Sequence, residues 1–266
     1  MRAMVGIELV VLLSLLAAAA TTEWAGGASD TTAAARAGGG DAESGDTPLA
    51  PGTSRRVAGD MQAQVEKSGD RYVFGPCSVD APLPAGYPAP TPPGAIELKH
   101  YPVVRRAEVS GSSHPDAGRW MAFWPLFNHI KSRDIAMTAP VEVDYEGLTS
   151  DKQPERWTMA FLYRFRSQGD EGRVGGVDVR DVPATKVVAI GVRGAYGVKG
   201  HLEPLRQLEQ WLAKHPEWKQ AGAPRALFYN GPSKRSADKW CEVQIPIREV
   251  AKVQAAPERL RLKDSL

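Results

Sequence analysis

Residues able to bind metal or act as nucleophiles are few and widely spaced in this chain of 266 residues. It has five histidines, none paired with another at metal-ligand spacing, and two cysteines, which cannot form a zinc motif. G-x-S-x-G, H-E-x-x-H and a phosphate-binding glycine loop are all missing from the sequence. We therefore expect a binding protein and not an enzyme.

The two cysteines have different sequence settings. Cys241 lies in "WCEVQIPI", where Cys241, Val243 and Ile245 share one face of a strand, which indicates a buried core thiol. An exported chain could also pair it with Cys77. Two cysteines give no spacing pattern, so the pairing stays open.

The N-terminus has the pattern of a targeting segment. Arg2 precedes an apolar run at 10–20 whose last residues, Ala18, Ala19 and Ala20, offer a small-residue cleavage site. This pattern predicts a signal peptide over 1–20 and an exported protein, periplasmic or secreted. An uncleaved anchor is the alternative, disfavoured by Glu8 and by a run shorter than the ~20 residues of a membrane span. After cleavage we expect no stable membrane span.

A linker is predicted over 21–94, because Ala, Gly, Ser, Thr and Pro dominate it. Within it, Val57, Met61 and Val65 recur every four residues, which predicts a short helix at 55–67. The prolines of 82–94 predict an extended, polyproline-like spacer. The folded domain is predicted at 95–250, followed by an unpatterned tail at 251–266. A net charge of +2 gives no reason to expect a nucleic-acid partner.

An internal repeat dominates the predicted domain. "IELKHYPVVRRAEV" from Ile96 aligns without a gap on "VDVRDVPATKVVAI" from Val177, so that Pro102 corresponds to Pro183. Each copy precedes a helical pattern; the apolar residues of these two patterns are Trp120, Phe123, Phe127 and Ile130, and Leu202, Leu205, Leu208 and Leu212. Pro125 predicts that the first helix starts near Trp124 or bends there.

Strand patterns follow each helix. Residues 133–145 alternate around Pro140, which predicts an edge strand or a bulge, and Trp157, Phe161 and Tyr163 share a face of the next strand. "RALFYNGP" and "WCEVQIPIRE" are the strands of the second copy. The chain is predicted to be α+β: a distorted antiparallel β-barrel of two pseudo-symmetric halves, each with a flanking helix.

Four segments carry a family resemblance: "LKHYP", "FWPLFNHI", "IAMTAPV" and "YNGPSKRSADKWCEVQIPI". Together they resemble the SOUL haem-binding protein family over about residues 95–249. The resemblance implies the same two-half barrel and non-covalent binding of haem or another tetrapyrrole in a hydrophobic cleft.

The resemblance also implies site residues. His100 becomes a candidate axial ligand of haem iron, with Tyr101 covering a porphyrin face. Met137 is a further candidate through its thioether, although it lies on the large apolar face and core packing is the role we expect. Lys99, Arg105 and Arg106 could meet haem propionates or form the solvated face of a strand, and we expect the solvated face.

Two alternatives remain at this point. Related two-half barrels are effector-binding modules, and such a module would bind a hydrophobic or cationic small molecule without catalysis. Its carboxylate would be Glu142 or Glu242, and its aromatic wall would be Trp157, Phe161 and Tyr163. A structural envelope protein without a specific ligand is the other alternative.

Overall fold

The computed structural model describes residues 48–250 except residue 195. The predicted signal peptide, the first part of the predicted linker and the tail lie outside the described residues. The described strands are β1 (Thr53–Gly59), β2 (Glu66–Ser68), β3 (Arg71–Phe74), β4 (Cys77–Ser78), β5 (Ala95–Tyr101), β6 (Val104–Gly111), β7 (Val141–Glu146), β8 (Arg156–Leu162), β9 (Gly172–Val174), β10 (Val177–Val182), β11 (Thr185–Arg193), β12 (Trp218–Gln220), β13 (Arg225–Phe228) and β14 (Trp240–Glu249). The described helices are α1 (Pro115–Lys131) and α2 (Val198–Lys214).

One large antiparallel sheet organises the domain. Its strand order is β1-β5-β11-β14-β13-β7-β8-β6-β10-β9, with β12 beside β14, and β2, β3 and β4 form a separate small sheet. The predicted α+β class is confirmed. The pairing path does not close into a barrel within the described residues, since β1 and β9 stand at its two ends. No helix in the described part of the chain is long and apolar enough to cross a membrane.

The two faces of the sheet differ in character. Alternate strand residues such as Leu98, Val143 and Val243 point to one face and pack with Leu126 of α1 and Leu205 of α2 in the main core. We call this the helix face. Burying a side chain of this size contributes about 1.5–3 kcal/mol, so this layer supplies most of the driving force for folding.

Prediction and structure agree on several elements. The strands β8, β13 and β14 and the helix α2 lie where the patterns placed them. The helix α1 begins earlier than predicted, at Pro115, and continues through Pro125 to Lys131. Proline suits a first helical position because its fixed φ is already helical and its missing N–H would have had no helical partner.

The alternating stretch 133–145 is not one strand, which corrects the prediction. The strand β7 begins at Val141, directly after a cis peptide bond between Ala139 and Pro140. β7 is central, paired with β13 and β8. Pro140 therefore needs neither a sheet edge nor a bulge, because it precedes the first ladder residue and no ladder hydrogen bond is lost.

The short helix predicted at 55–67 is also wrong. The strand β1 pairs with β5 from Thr53 to Gly59, with a register irregularity between Arg56 and Ala58, and β2 begins at Glu66. Without β1, the outer edge of β5 would present unpaired N–H and C=O groups. Pairing along this edge outweighs the local four-residue period.

The proline-rich segment 82–94 is not a free spacer. It packs across the face of the sheet opposite the helices, where Tyr87 and Thr91 are buried. We call this segment the strap and the surface beneath it the strap face. The folded part therefore begins well before the predicted boundary at residue 95.

Candidate functional site

His100 and Tyr101 lie on different faces of the sheet. They are adjacent in β5, so their side chains point to opposite faces of the sheet. The His100 ring is half-buried at the edge of the domain, with Nδ1 2.8 Å from the carbonyl oxygen of Leu49. Tyr101 is buried on the strap face, where its hydroxyl accepts a hydrogen bond from Gln244 Nε2 at 2.8 Å.

Met137 lies apart from both residues in sequence position and surroundings. It is half-buried against the main core, in the segment that leads into β7. Neither the cavity at the end of α1 nor the cavity beside Arg56 and Glu97 is lined by His100, Tyr101 or Met137. The geometry thus separates the three candidates that the sequence grouped.

A different surface stands out on α1. Trp120, Met121 and Trp124 are 54%, 74% and 41% exposed, although each is a large apolar side chain. Residues three and four apart are neighbours on a helix, so these three and Pro125, also exposed, form one continuous surface. We call it the aromatic face of α1. An exposed apolar patch of this kind commonly marks a binding site.

The opposite side of α1 holds the helix to the sheet. Its buried residues are Pro115, Gly118, Ala122, Leu126, His129 and Ile130. Between the two sides, Phe123 stacks on Phe127 with ring centroids 5.7 Å apart and meets Trp124 edge-on at 5.6 Å. The predicted orientation was therefore wrong for Trp120, which points outward. The exposed side of α1 is apolar as well as the buried side, so the spacing of apolar residues could not show which of them face solvent.

A cavity of about 580 Å³ lies at the C-terminal end of α1. Its walls are His129, Arg133, Asp134, Ile135, Val174 and Val179, with residues 168–172 completing the rim. The cavity begins at His129, one helical turn beyond Pro125, the last residue of the aromatic face.

The position of His129 off the apolar pattern of the first predicted helix predicts a solvated ring, and the structure corrects this prediction. The ring is buried, and its Nε2 lies 3.0 Å from the hydroxyl of Tyr163. Burial, reinforced by the positive charge of Arg133, lowers the pKa of His129, which favours a neutral imidazole. The sequence offered no signal for this burial beyond the position of His129 one turn before the helix ends.

The strap face carries a buried network of charges. Lys99 and Glu242 have no exposed side-chain surface, and their Nζ and Oε1 atoms are 2.7 Å apart. The same oxygen accepts hydrogen bonds from the Thr91 N–H at 2.7 Å and the Tyr229 hydroxyl at 2.6 Å. Burial alone would raise the pKa of Glu242, but Lys99 and these donors hold it below its usual value.

A second cluster lies on the same face. Glu142 binds Arg106 at 2.5 Å and Arg225 at 3.1 Å. Burial opposes ionisation of Glu142, yet the two guanidinium groups lower its pKa. The prediction that Lys99, Arg105 and Arg106 form a solvated strand face is therefore wrong for Lys99 and Arg106, which are both buried. The side chain of Arg105 is largely buried and pairs with Asp181.

These pairings bear on the effector-module alternative. Glu142 and Glu242 are already neutralised by buried bases and have no free charge to offer a cation. The proposed aromatic wall of Trp157, Phe161 and Tyr163 belongs to the helix-face core. The carboxylates and the wall are thus on opposite faces of the sheet.

The family-like motifs have structural roles in this fold. Asn230 Oδ1 accepts a hydrogen bond from the Trp240 N–H at 2.7 Å, and its Nδ2 donates to the Ser78 carbonyl at 2.6 Å. Thr138 Oγ1 donates to the Leu162 carbonyl at 2.5 Å. These bonds join strands to one another and to the N-terminal segment.

Both cysteines are free and buried. Cys241 belongs to the main core on the helix face, as predicted, whereas Cys77 packs in the cluster on the strap face. The sheet therefore separates the two thiols.

The fold is an α+β domain, a mostly antiparallel sheet with two helices. A family model described as SOUL heme-binding protein matches residues 88–246, more than half of the chain. The chain belongs to this family. SOUL proteins are binding proteins, and the membership suggests haem or another tetrapyrrole as ligand. No curated protein matches the sequence.

Solved structures show more distant similarity. The C-terminal domain of EcmrR is 18% identical, with 58% of this chain and 98% of that chain covered at a TM-score of 0.45. A hydrolase from Listeria innocua is 14% identical, with 60% and 94% covered and a TM-score of 0.44. SAV2435 bound to tetraphenylphosphonium is 13% identical, with 57% and 92% covered and a TM-score of 0.36. Similarities this low carry no conclusion about ligand or activity.

Proposed function

We propose that this chain binds haem or a related tetrapyrrole non-covalently on the aromatic face of α1, next to the cavity at the end of that helix. The observation that carries the proposal is the cluster of Trp120, Met121 and Trp124 exposed on one helix of a SOUL-family chain. A flat macrocycle stacked on two indoles removes apolar area from water on both partners.

The residues around this surface suit a tetrapyrrole. Arg133, at the cavity wall, can donate paired hydrogen bonds to a propionate. The Met121 thioether is the exposed iron ligand that the aromatic face itself offers. Bound haem would supply an iron centre, and these side chains would hold the ring and its carboxylates.

His100 remains a prediction as an axial ligand. It lies on β5, whereas α1 packs on β6, β8 and β10 at the other end of the strand order. Ligation by His100 would thus need a second binding position at the edge of β5.

A haemin titration of the mature protein followed by absorption spectroscopy tests the proposal. We expect a saturable, shifted Soret band in the parent protein. The double variant Trp120→Ala/Trp124→Ala should bind at least about tenfold more weakly, since each lost stacking contact is worth about 0.5–1.5 kcal/mol beyond area. Met61→Ala is the control for Met121→Ala, because Met61 is exposed outside α1.

The variants separate the competing sites. Equal haemin affinity in the parent and the double variant would rule out the aromatic face as the site. A ligation signature lost in His100→Ala but kept in Met121→Ala would place the iron at the edge of β5.

The proposal extends to architecture and location. The strand order supports a duplicated origin. The repeat pairs β5 with β10, β6 with β11, β7 with β13 and β8 with β14. Exchanging each strand for its counterpart converts the order β5-β11-β14-β13, at one end of the sheet, into β10-β6-β8-β7, the order read from the other end. We therefore propose that the two halves are pseudo-symmetric.

We also propose that the protein is exported after cleavage near residue 20. Mass spectrometry of the protein recovered from the extracytoplasmic fraction would identify its N-terminus; an intact residue 1 would contradict the cleavage.

A further inference from the structure

The strap is bound to the strap face by specific polar contacts. The Thr91 N–H donates to Glu242, and the Thr91 hydroxyl donates to Glu97 Oε2 at 3.1 Å. The indole N–H of Trp240 donates to the Thr91 carbonyl at 2.8 Å. One residue of the strap thus makes three hydrogen bonds to side chains of the sheet.

An aromatic contact adds to these bonds. The ring of Tyr87 meets the ring of Tyr101 edge-on, with centroids 4.7 Å apart, and is buried there. Tyr101 in turn has the guanidinium of Arg225 5.2 Å from its centroid. The strap therefore places one phenol ring in a slot formed by an aromatic side chain and a base.

The surface beneath the strap is unlike an ordinary core. Lys99, Glu142, Arg225, Glu242 and Gln244 are all buried there. Replacing buried ion pairs by apolar residues is often neutral or stabilising, so stability alone gives no reason for this chemistry. A surface that recognises a partner does need fixed donors, acceptors and aromatic rings.

The strap is held as a bound peptide would be. Six of its residues are proline, and within the strap only Pro93 forms a bridge with the large sheet, at Gly191. Proline-rich segments lose little conformational entropy on binding and dock on surfaces lined with aromatic side chains. A cavity of about 300 Å³ opens beside it, between strap residues including Pro90 and Pro92 and the Arg56–Glu97 pair.

We propose that the strap face is a binding cleft for a proline-rich segment bearing one tyrosine, and that this chain fills the cleft with its own residues 82–94. The cleft is closed while the strap is docked and takes a segment of the same chemistry when the strap is displaced. The cleft lies across the sheet from α1, so the proposal does not depend on tetrapyrrole binding.

Gly191 allows the strap to be displaced without changing the cleft side chains. A Cβ at this position would overlap the carbonyl oxygens of Thr91 and Pro92, which are backbone atoms and cannot simply rotate away. Gly191→Ala is therefore the opening variant. Gly197→Ala is the matched control, because its Cβ would lie 3.5 Å from Asp116, an ordinary contact outside the strap.

The test is fluorescence anisotropy with a labelled peptide of residues 82–90, alongside circular dichroism to confirm folding. This peptide keeps Tyr87 but lacks the Thr91 and Pro92 carbonyls that a Cβ at position 191 would exclude. We expect saturable binding to Gly191→Ala at least about tenfold tighter than to the parent or to Gly197→Ala, because apparent affinity scales with the open fraction. A peptide carrying Tyr87→Ala should bind much more weakly.

Three results would overturn the proposal. A folded Gly191→Ala protein that takes up no peptide would show that the face is not a cleft for it. Equal binding of the Tyr87→Ala peptide would show that the aromatic slot is not recognised. The protein variant Tyr87→Ala loosens the strap by removing its aromatic contact with Tyr101, without adding an atom to the cleft. If neither Tyr87→Ala nor Gly191→Ala folds, the strap is a part of the core that folding requires.

Discussion

At the scale of single residues, His201 is the most unusual side chain of the domain. It is buried beside Tyr145 and Phe228, and neither of its ring nitrogens has a hydrogen-bond partner. Burial, together with the positive charge of Arg119, lowers its pKa to about 4, although Asp116 acts in the opposite direction. The folded state therefore holds this imidazole neutral where an unfolded chain would protonate it.

This burial predicts a loss of stability in acid. Between the unfolded pKa of 6.5 and the folded pKa of about 4, the unfolded state binds more protons, so stability falls as the pH falls through this window. The gap corresponds to at most roughly 3 kcal/mol. Urea unfolding at several pH values should give a shallower decline for His201→Phe than for the parent protein. His114→Gln, at the exposed residue directly before α1, is the control, and identical slopes in all three proteins would refute the assignment.

The Lys99–Glu242 pair makes a second prediction at the residue scale. Lys99→Met leaves the buried carboxylate without its cation, and breaking such a pair typically costs about 3–5 kcal/mol. Lys99→Met/Glu242→Gln removes both charges and should recover a large part of that loss. Chemical denaturation of the four proteins of this cycle measures the coupling. A double variant no more stable than Lys99→Met would show that the two charges do not depend on each other.

At the scale of elements, the packing of α1 rests on a close approach. Gly118 faces Trp157 of β8, and a Cβ at this position would overlap the indole ring. Gly118→Ala should therefore push the helix outward and cost about 1–3 kcal/mol, as overpacking usually does. Thermal unfolding checks the loss, and Ala117→Ser on the exposed side is the control. An unchanged melting temperature would mean that the helix does not need this contact.

The sequence predicted elements better than their orientation. Strict alternation located β8 and β14 because each strand has a consistently buried side. The pattern could not show which side of α1 is buried, because Trp120 and Leu126 are both apolar and no polar side marks the surface that faces solvent. The aromatic face was missed for that reason, and His129 was assigned to the wrong environment with it.

At the scale of the whole molecule, the repeat in the sequence predicted two similar halves, but not which strands pair or which segments cover the sheet. The aligned segments from Ile96 and Val177 became β5-β6 and β10-β11, which pair with each other across the copies as β5–β11 and β6–β10. Nothing in the local pattern showed that β1 would cover the edge of β5, or that the small sheet and the strap would cover the strap face. Their role follows from an open sheet edge and buried charges that only the folded chain displays.

The domain boundary is therefore testable by truncation. A chain of residues 95–266 contains the predicted domain but lacks β1 and the strap, so it exposes the edge of β5 and uncovers Lys99 and Glu242. We expect it to aggregate or to melt well below a chain of residues 48–266, as size-exclusion chromatography and circular dichroism would show. Gly191→Ala is the informative comparison, since it displaces the strap but keeps β1 paired with β5. If residues 95–266 melt cooperatively at the temperature of the longer chain, the N-terminal segment is an accessory and the predicted boundary was right.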